Sequence, residues 1–258
     1  MSSKFNRRKS VVVVIASIAA TGGLLFGFDT GVISGAIPFI QEYFELTDSQ
    51  VENVTALGLI GAVVGALITG RVTDYLGRKK VILASAFVFA TGAVWTGLAP
   101  TVNQLMISRF YLGLAIGVSS FAVPLYISEI APTKIRGTLV SLFQLLITVG
   151  ILAAYLSDRA FADNTDLESW RPMLYIGVAP ALILFIGMFF LPETPRWLMS
   201  KGRDEEGRRI LSRTEEPELL DTVISEMKRD IMIERKQAGW KEIFKPWLRN
   251  ALIIAVGI

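Results

Sequence analysis

Asp29 is an acidic residue inside a predominantly apolar run from Val11 to Ile40, long enough to cross a bilayer. An ionised carboxylate at the centre of a membrane helix costs roughly 2.5 to 3.5 kcal/mol on insertion scales, so its presence there points to a function or a partner. A base is available, because Arg109 is the lone charge of a second apolar run from Gln104 to Ile127. An acid and a guanidinium at membrane depth can pair, and a carboxylate that gains or loses such a partner can release or take up a proton. A permanent structural ion pair is the other reading of the same two residues.

The elements that carry these charges are apolar helices. The chain has 258 residues, 52% hydrophobic and 19% charged, which is the composition of an integral membrane protein. It lacks cysteine and histidine, so disulfide frameworks, thiolate metal sites and serine-histidine chemistry are excluded. Spans are expected at 11–38, 51–70, 81–99, 104–127, 138–157 and 173–191, with a seventh beginning near 248 and running to Ile258. Of the 26 Lys and Arg, 23 lie in the N-terminal tail, the loops Arg71 to Lys80 and Ala131 to Gly137, and the stretch from Arg196 to Arg249. By the positive-inside rule these segments are cytoplasmic, and the loops around Glu42 to Asp48 and Asp158 to Arg171 face out. Lys4, Arg7, Arg8 and Lys9 before an apolar core could open a cleaved signal or a twin-arginine signal, but the apolar run continues past any small-residue cleavage site.

Small residues recur every four positions at Gly27, Gly31 and Gly35, at Gly61 and Gly65, and at Gly113 and Gly117. That spacing lets membrane helices approach closely. From Lys201 to Lys245 the chain is rich in charge, with Leu220, Val223, Ile224, Met227 and Ile231 at helical spacing. This predicts two or three short amphipathic helices, one ended by Gly202 and the next begun at Pro217. Their basic residues suit a surface of anionic lipid.

The loop between spans two and three reads GRVTDYLGRKK, from Gly70 to Lys80. In a tight turn Gly70 and Gly77 would permit close backbone approach, Asp74 would sit near a helix N-terminus, and Arg78 would offer a fork to carboxylates. The arrangement G-R-x-x-D-x-x-G-R-K-K resembles the signature loop of the major facilitator superfamily. GGLLFGFDTGVISGA from Gly22, SRFYLGLAIGV from Ser108, PLYISEIAPTKIRGTLVSLFQLLITVGILAAY from Pro124 and PETPRWL from Pro192 resemble its sugar porter family, and in particular bacterial proton-sugar symporters for galactose, arabinose and xylose.

The resemblance covers essentially the whole chain, and it implies an all-α fold in two six-helix halves, each built of two inverted three-helix repeats. This chain corresponds to one half: a six-helix transmembrane bundle over 1–194, a cytoplasmic helical linker over 195–247, and the start of a seventh helix over 248–258. It also implies roles. Asp29 matches the family's proton acceptor and Arg109 the arginine that partners it. Gln144 matches a glutamine that hydrogen-bonds sugar hydroxyls, with Ile147 one turn later on the same face and Phe26 covering an apolar sugar face. Gly70, Asp74, Gly77, Arg78, Glu129, Arg136, Glu193 and Arg196 resemble the cytoplasmic gate and its ion-pair network; a solvated collar of charge is the alternative.

The function these residues imply is monosaccharide:proton symport by alternating access in a bacterial inner membrane, without enzyme chemistry. The proton is the coupling ion, no cofactor or metal is needed, and the partners are a monosaccharide, membrane lipid and the C-terminal half. The alternatives are an uncoupled sugar facilitator, a sensor on a transporter scaffold, and a half that does not transport. No motif speaks to nucleic acid or nucleotide, and the Asn53-Val54-Thr55 sequon is expected to be coincidental.

Overall fold

The computed structural model describes residues 2–163 and 165–237, with side chains over 10–163 and 165–233. The end of the expected linker, 238–247, and the expected seventh span, 248–258, lie outside the described residues. Helices follow one another as α1 (Ser2–Tyr43), α2 (Asp48–Leu76), α3 (Arg78–Leu98), α4 (Val102–Ile130), α5 (Arg136–Phe161), α6 (Trp170–Tyr175), α7 (Val178–Phe190), α8 (Pro195–Ser200), α9 (Asp204–Thr214) and α10 (Leu220–Gln237). The described residues contain no strand, and six stretches are long and apolar enough to cross a membrane.

The sixth of these, Trp170–Phe190, is two helices rather than one. Pro180 has no N–H to offer the Ile176 carbonyl, which instead accepts from Ala179 N at 3.0 Å, and the chain bends there. Other boundaries are local chemistry. Gln50 Oε1 accepts from Thr47 N at 3.0 Å ahead of α2, Thr101 caps α4, and Thr194 with Pro195 starts α8. Gly202, at φ +77°, lies just past α8 and precedes α9, as its position predicts. Pro217, expected in the first turn of a helix, lies in the turn ahead of α10.

Two parallel seams organise the bundle. α1 lies along α5, where a Cβ on Gly23, Gly27 or Gly31 would run into the Phe143, Ile147 or Ile151 backbone. α2 lies along α4 in the same way, with Gly61 on the Phe110 carbonyl and Gly65 on that of Leu114. The glycine stripes of the sequence are these seams. Exchanging α1 with α4, α2 with α5 and α3 with the α6–α7 pair maps the α1/α5 seam onto α4/α2, and the α3/α4 contact onto α1 with α6–α7. α1 ends beside Trp170, at the end away from the linker, whereas α4 ends beside α8, so the two three-helix units are inverted.

The larger core cluster, with Tyr126, Ile127 and Leu184, fills the bundle from its middle toward the linker; a second, around Trp170, Phe28 and Met173, closes the opposite end. α2 and α5, which the exchange relates, are the least enclosed of the long helices. Leu59, Val63 and Leu67 of α2 and Leu145, Leu152 and Leu156 of α5 stand exposed. α8, α9 and α10 form a small unit at one end, joined by Met199, Leu211 and Ile231 with Val223, Ile224 and Met227 packed against them. Helices are thus present, as far as residue 237, in the stretch where short amphipathic helices are expected.

Candidate functional site

Asp29 of α1 and Arg109 of α4 meet in the interior, 7% and 3% exposed. Arg109 Nη1 donates to Asp29 Oδ1 at 2.5 Å and Nη2 to Oδ2 at 3.0 Å, the two-pronged geometry in which arginine binds carboxylate most strongly. Gly58 of α2 leaves the room for it, since a Cβ there would stand 3.3 Å from Nη2. Burial makes the pair interdependent: removing one partner strands a charge in a dry site.

Near this pair, α1 and α5 present the residues that the sequence assigns to ligand. Phe26, three residues before Asp29, is half-buried against the core, and Ile147 is half-buried on the Gly27 seam. Gln144, one turn before Ile147, projects from the open side of α5. Thr148 is exposed beside it and donates to the Gln144 carbonyl at 3.4 Å. On α1, exposed Thr30 donates to the Phe26 carbonyl at 2.9 Å and Ser34 to that of Thr30 at 3.3 Å. The sequence reading does not single out these three hydroxyls, although Thr30 and Ser34 follow Phe26 by four and eight residues and Thr148 follows Gln144 by four. Each retains acceptor lone pairs for a polyhydroxylated ligand.

The charged set gathers where the bundle meets α8. Arg78, with 9% of its side chain exposed, reaches Asp74 Oδ1 and Glu129 Oε1, each at 3.1 Å from Nη2, and donates to the Thr73 carbonyl through Nη1. Glu129 Oε2 accepts from Thr194 Oγ1 at 2.6 Å, and Arg196 Nε lies 4.0 Å from Glu129 Oε1. Arg136 donates to the Ala131 carbonyl at 3.3 Å. Gly70, Asp74, Arg78, Glu129, Arg136 and Arg196 all line one cavity of about 490 Å³.

Two expectations change here. Asp74 is not at a helix N-terminus but in the last turn of α2, its side chain 72% exposed. Glu193 takes that place, accepting from the amides of Arg78 and Lys79 at 3.1 to 3.2 Å, at the positive end of the α3 dipole. Burial pushes its carboxyl above the ordinary range, opposed by the Thr194, Lys79 and Arg78 amides. Gly77, at φ +99°, makes the α2–α3 turn and a Cβ there would meet the Glu193 carboxylate, whereas Gly70 has nothing close to it.

Residues 15–258 match the family described as "Sugar (and other) transporter". The galactose-proton symporter of Escherichia coli K12 is 45% identical over 237 residues, 90% of this chain and 49% of that protein. The arabinose-proton symporter of the same strain is 40% identical over 240 residues, and the glucose transporter GlcP of Staphylococcus epidermidis 43% over 241, covering 49% and 53% of those proteins. The proton:xylose symporter XylE of the major facilitator superfamily, bound to 6-bromo-6-deoxy-D-glucose, superposes with a TM-score of 0.81 at 31% identity, over 90% of this chain and 55% of XylE. XylE from E. coli in a partially occluded inward-open conformation gives 0.81 at 29% identity, over 87% of this chain and 60% of XylE. The chain thus spans about half the length of the relatives it matches and corresponds to their N-terminal half. It is an integral membrane protein that belongs to the sugar transporter family of the major facilitator superfamily.

Proposed function

We propose that the chain is the N-terminal half of a monosaccharide:proton symporter, with Asp29 as proton acceptor and Arg109 as the partner that governs its release. The observation that carries this is the buried two-pronged Asp29–Arg109 pair on α1 and α4, beside exposed hydrogen-bonding groups on α1 and α5. Relatives described as galactose- and arabinose-proton symporters support both the sugar and the coupling ion.

In this reading, sugar binds between this half and the C-terminal half, against Phe26, Gln144 and Ile147, and protonation of Asp29 frees Arg109. Its release to the other side restores the pair. The charged set at the α8 end forms contacts in one state that it lacks in the other, which biases alternating access. The distribution of Lys and Arg supports a cytoplasmic N-terminus and linker, and the bacterial relatives support the inner membrane. The experiment is sugar accumulation and counterflow by Asp29→Asn in the full-length protein. Accumulation should vanish while counterflow survives; accumulation that persists would sink the coupling.

A second reading, an uncoupled facilitator, is favoured by how completely the pair satisfies the carboxylate, since both oxygens are held. The same experiment separates the two.

A further inference from the structure

Asp158 lies in the last turn of α5 and is 6% exposed. Its carboxyl stands over Gly35 of α1, where a Cβ would overlap Oδ2 and Cγ, so it forms the last rung of the α1/α5 seam at the end away from the linker. The rung before it is Ala154 on Gly31. Both carboxyl oxygens are buried, and neither receives a hydrogen bond from the described residues. Two buried donors at the same end, Ser157 Oγ and Trp170 Nε1, also reach no acceptor, so neither serves it. In this Asp158 differs from Asp29, Glu129 and Glu193, each of which is held by donors.

The charged groups around it are engaged elsewhere. The α1 stretch that packs there, Thr30 to Gln41, has no ionisable side chain; beyond it Glu42 is exposed and Tyr43 OH donates to Glu168 Oε1 at 3.0 Å. From α6, Arg171 donates to the Gly97 and Ala99 carbonyls and pairs with Glu168 at 3.4 Å. Arg109 of α4 is taken by Asp29, and Tyr155 and Arg159 of α5 are exposed. Past α5, Asp163 accepts from Thr165 and Asp166 from the Glu168 amide.

We propose that Asp158 is a second proton-binding site, which holds a proton while α1 and α5 are closed against each other at this end and releases it when the seam parts to admit water. An ionised carboxylate buried without a donor or a cation is far costlier than a neutral carboxyl, so the closed seam selects the neutral form. The carbonyls at the C-terminus of α5 oppose a negative charge there as well. Gly35 offers no side chain to pair with the carboxylate, so relief comes from solvent. The site is separate from Asp29: Gly35 follows Asp29 by six residues, about 9 Å at the helical rise, and faces α5, whereas Asp29 faces α4. The proposal is independent of sugar binding and of coupling through Asp29.

The test is infrared spectroscopy of the full-length protein in detergent, at a pH about two units above the ordinary aspartate value of about 3.9. Wild type should show a C=O stretching band of neutral carboxylic acid that is missing from Asp158→Asn; Glu193, present in both, cancels in the difference. Asp158→Ser, which removes the carboxyl without adding bulk, gives the same subtraction if the amide is not tolerated. Stability follows the proton: the folded state binds it more tightly than the unfolded chain, so the contribution is present below the unfolded value and is lost as pH rises. The melting temperature of wild type should therefore fall relative to that of Asp158→Asn as pH is raised. Over the same range, exchange of the backbone amides around Gly35, corrected for its intrinsic pH dependence, should rise several-fold in wild type and stay level in Asp158→Asn. A difference spectrum without the band, a melting difference flat with pH, or exchange that rises equally in both proteins overturns the proposal; a missing band would make Asp158 an ionised carboxylate solvated in place.

Discussion

Glu193 sits on the first turn of α3, its carboxylate shared between the backbone amides of Arg78 and Lys79 although 115 residues separate it from Arg78. The α2–α3 turn and the α7–α8 junction are thereby one structural unit. Trp197 Nε1 reinforces it by donating to the Asp74 carbonyl at 3.0 Å, and Tyr126 OH donates to the Pro192 carbonyl at 2.7 Å. The last spans of the two inverted units are therefore fastened at the end where the charged set gathers.

Glu193→Ala should accordingly destabilise the bundle by about 1 to 3 kcal/mol, the scale for stranding buried donors that had a charged partner. Glu193→Gln keeps one acceptor and should recover part of the loss. Thermal unfolding of the purified protein in detergent checks the order wild type, Gln, Ala; an alanine variant as stable as wild type would show that the amides find other partners.

The same carboxyl makes stability depend on pH. Burial raises its affinity for a proton above that of the unfolded chain, so the folded state binds more protons over the window above the ordinary glutamate value. Stability from this group is present below the unfolded value and is lost as pH rises through the folded one. The difference in melting temperature between wild type and Glu193→Gln should therefore shift against wild type as pH is raised across that window. A difference that is flat with pH would remove Glu193 as the source.

Asp29 and Arg109 should behave as a unit. Either Asp29→Ala or Arg109→Ala strands a buried charge, at about 3 to 5 kcal/mol, whereas the double variant strands none. Double-mutant analysis of unfolding should give a cost for the pair well below the sum of the singles. Additive costs would mean that each group has a second partner.

Gly27 and Gly70 separate packing from surface. A Cβ at Gly27 would overlap the Ile147 carbonyl of the α1/α5 seam, and Gly70 meets nothing within 4 Å. Gly27→Val should cost about 1 to 3 kcal/mol or prevent folding, while Gly70→Ala should stay within about 0.5 kcal/mol of wild type. Expression and melting temperature of the two variants read this out.

What the sequence displayed depended on how local each cause was. Asp29 and Arg109 were legible because a charge in an apolar run is costly wherever it lies, and the Gly27 and Gly61 stripes because helical spacing alone places them on one face. Asp74 was misplaced because its neighbours in sequence suggested a helix start, while the residue that occupies that start, Glu193, arrives from the far side of the bundle. The bend in the sixth span follows from the N–H that Pro180 lacks, but an apolar run reads the same with or without it. Thr30, Ser34 and Thr148 passed unnoticed because hydroxyls bonded to their own helix are cheap in a membrane and ordinary in composition.

Gln144 tests whether that polar strip is a binding surface. Its side chain is exposed on α5, one turn from half-buried Ile147, so Gln144→Ala removes an amide without opening a cavity. Melting temperature should stay within the range of a surface substitution. Loss of one or two hydrogen bonds to a sugar hydroxyl should weaken affinity by roughly 5- to 30-fold, at about 1 to 2 kcal/mol. Sugar binding by the full-length protein, measured calorimetrically, reads this directly, with Thr148→Val expected to give a smaller loss in the same direction. Unchanged affinity in both variants would leave α5 as lining that touches no ligand, and would move recognition onto Phe26 and the C-terminal half.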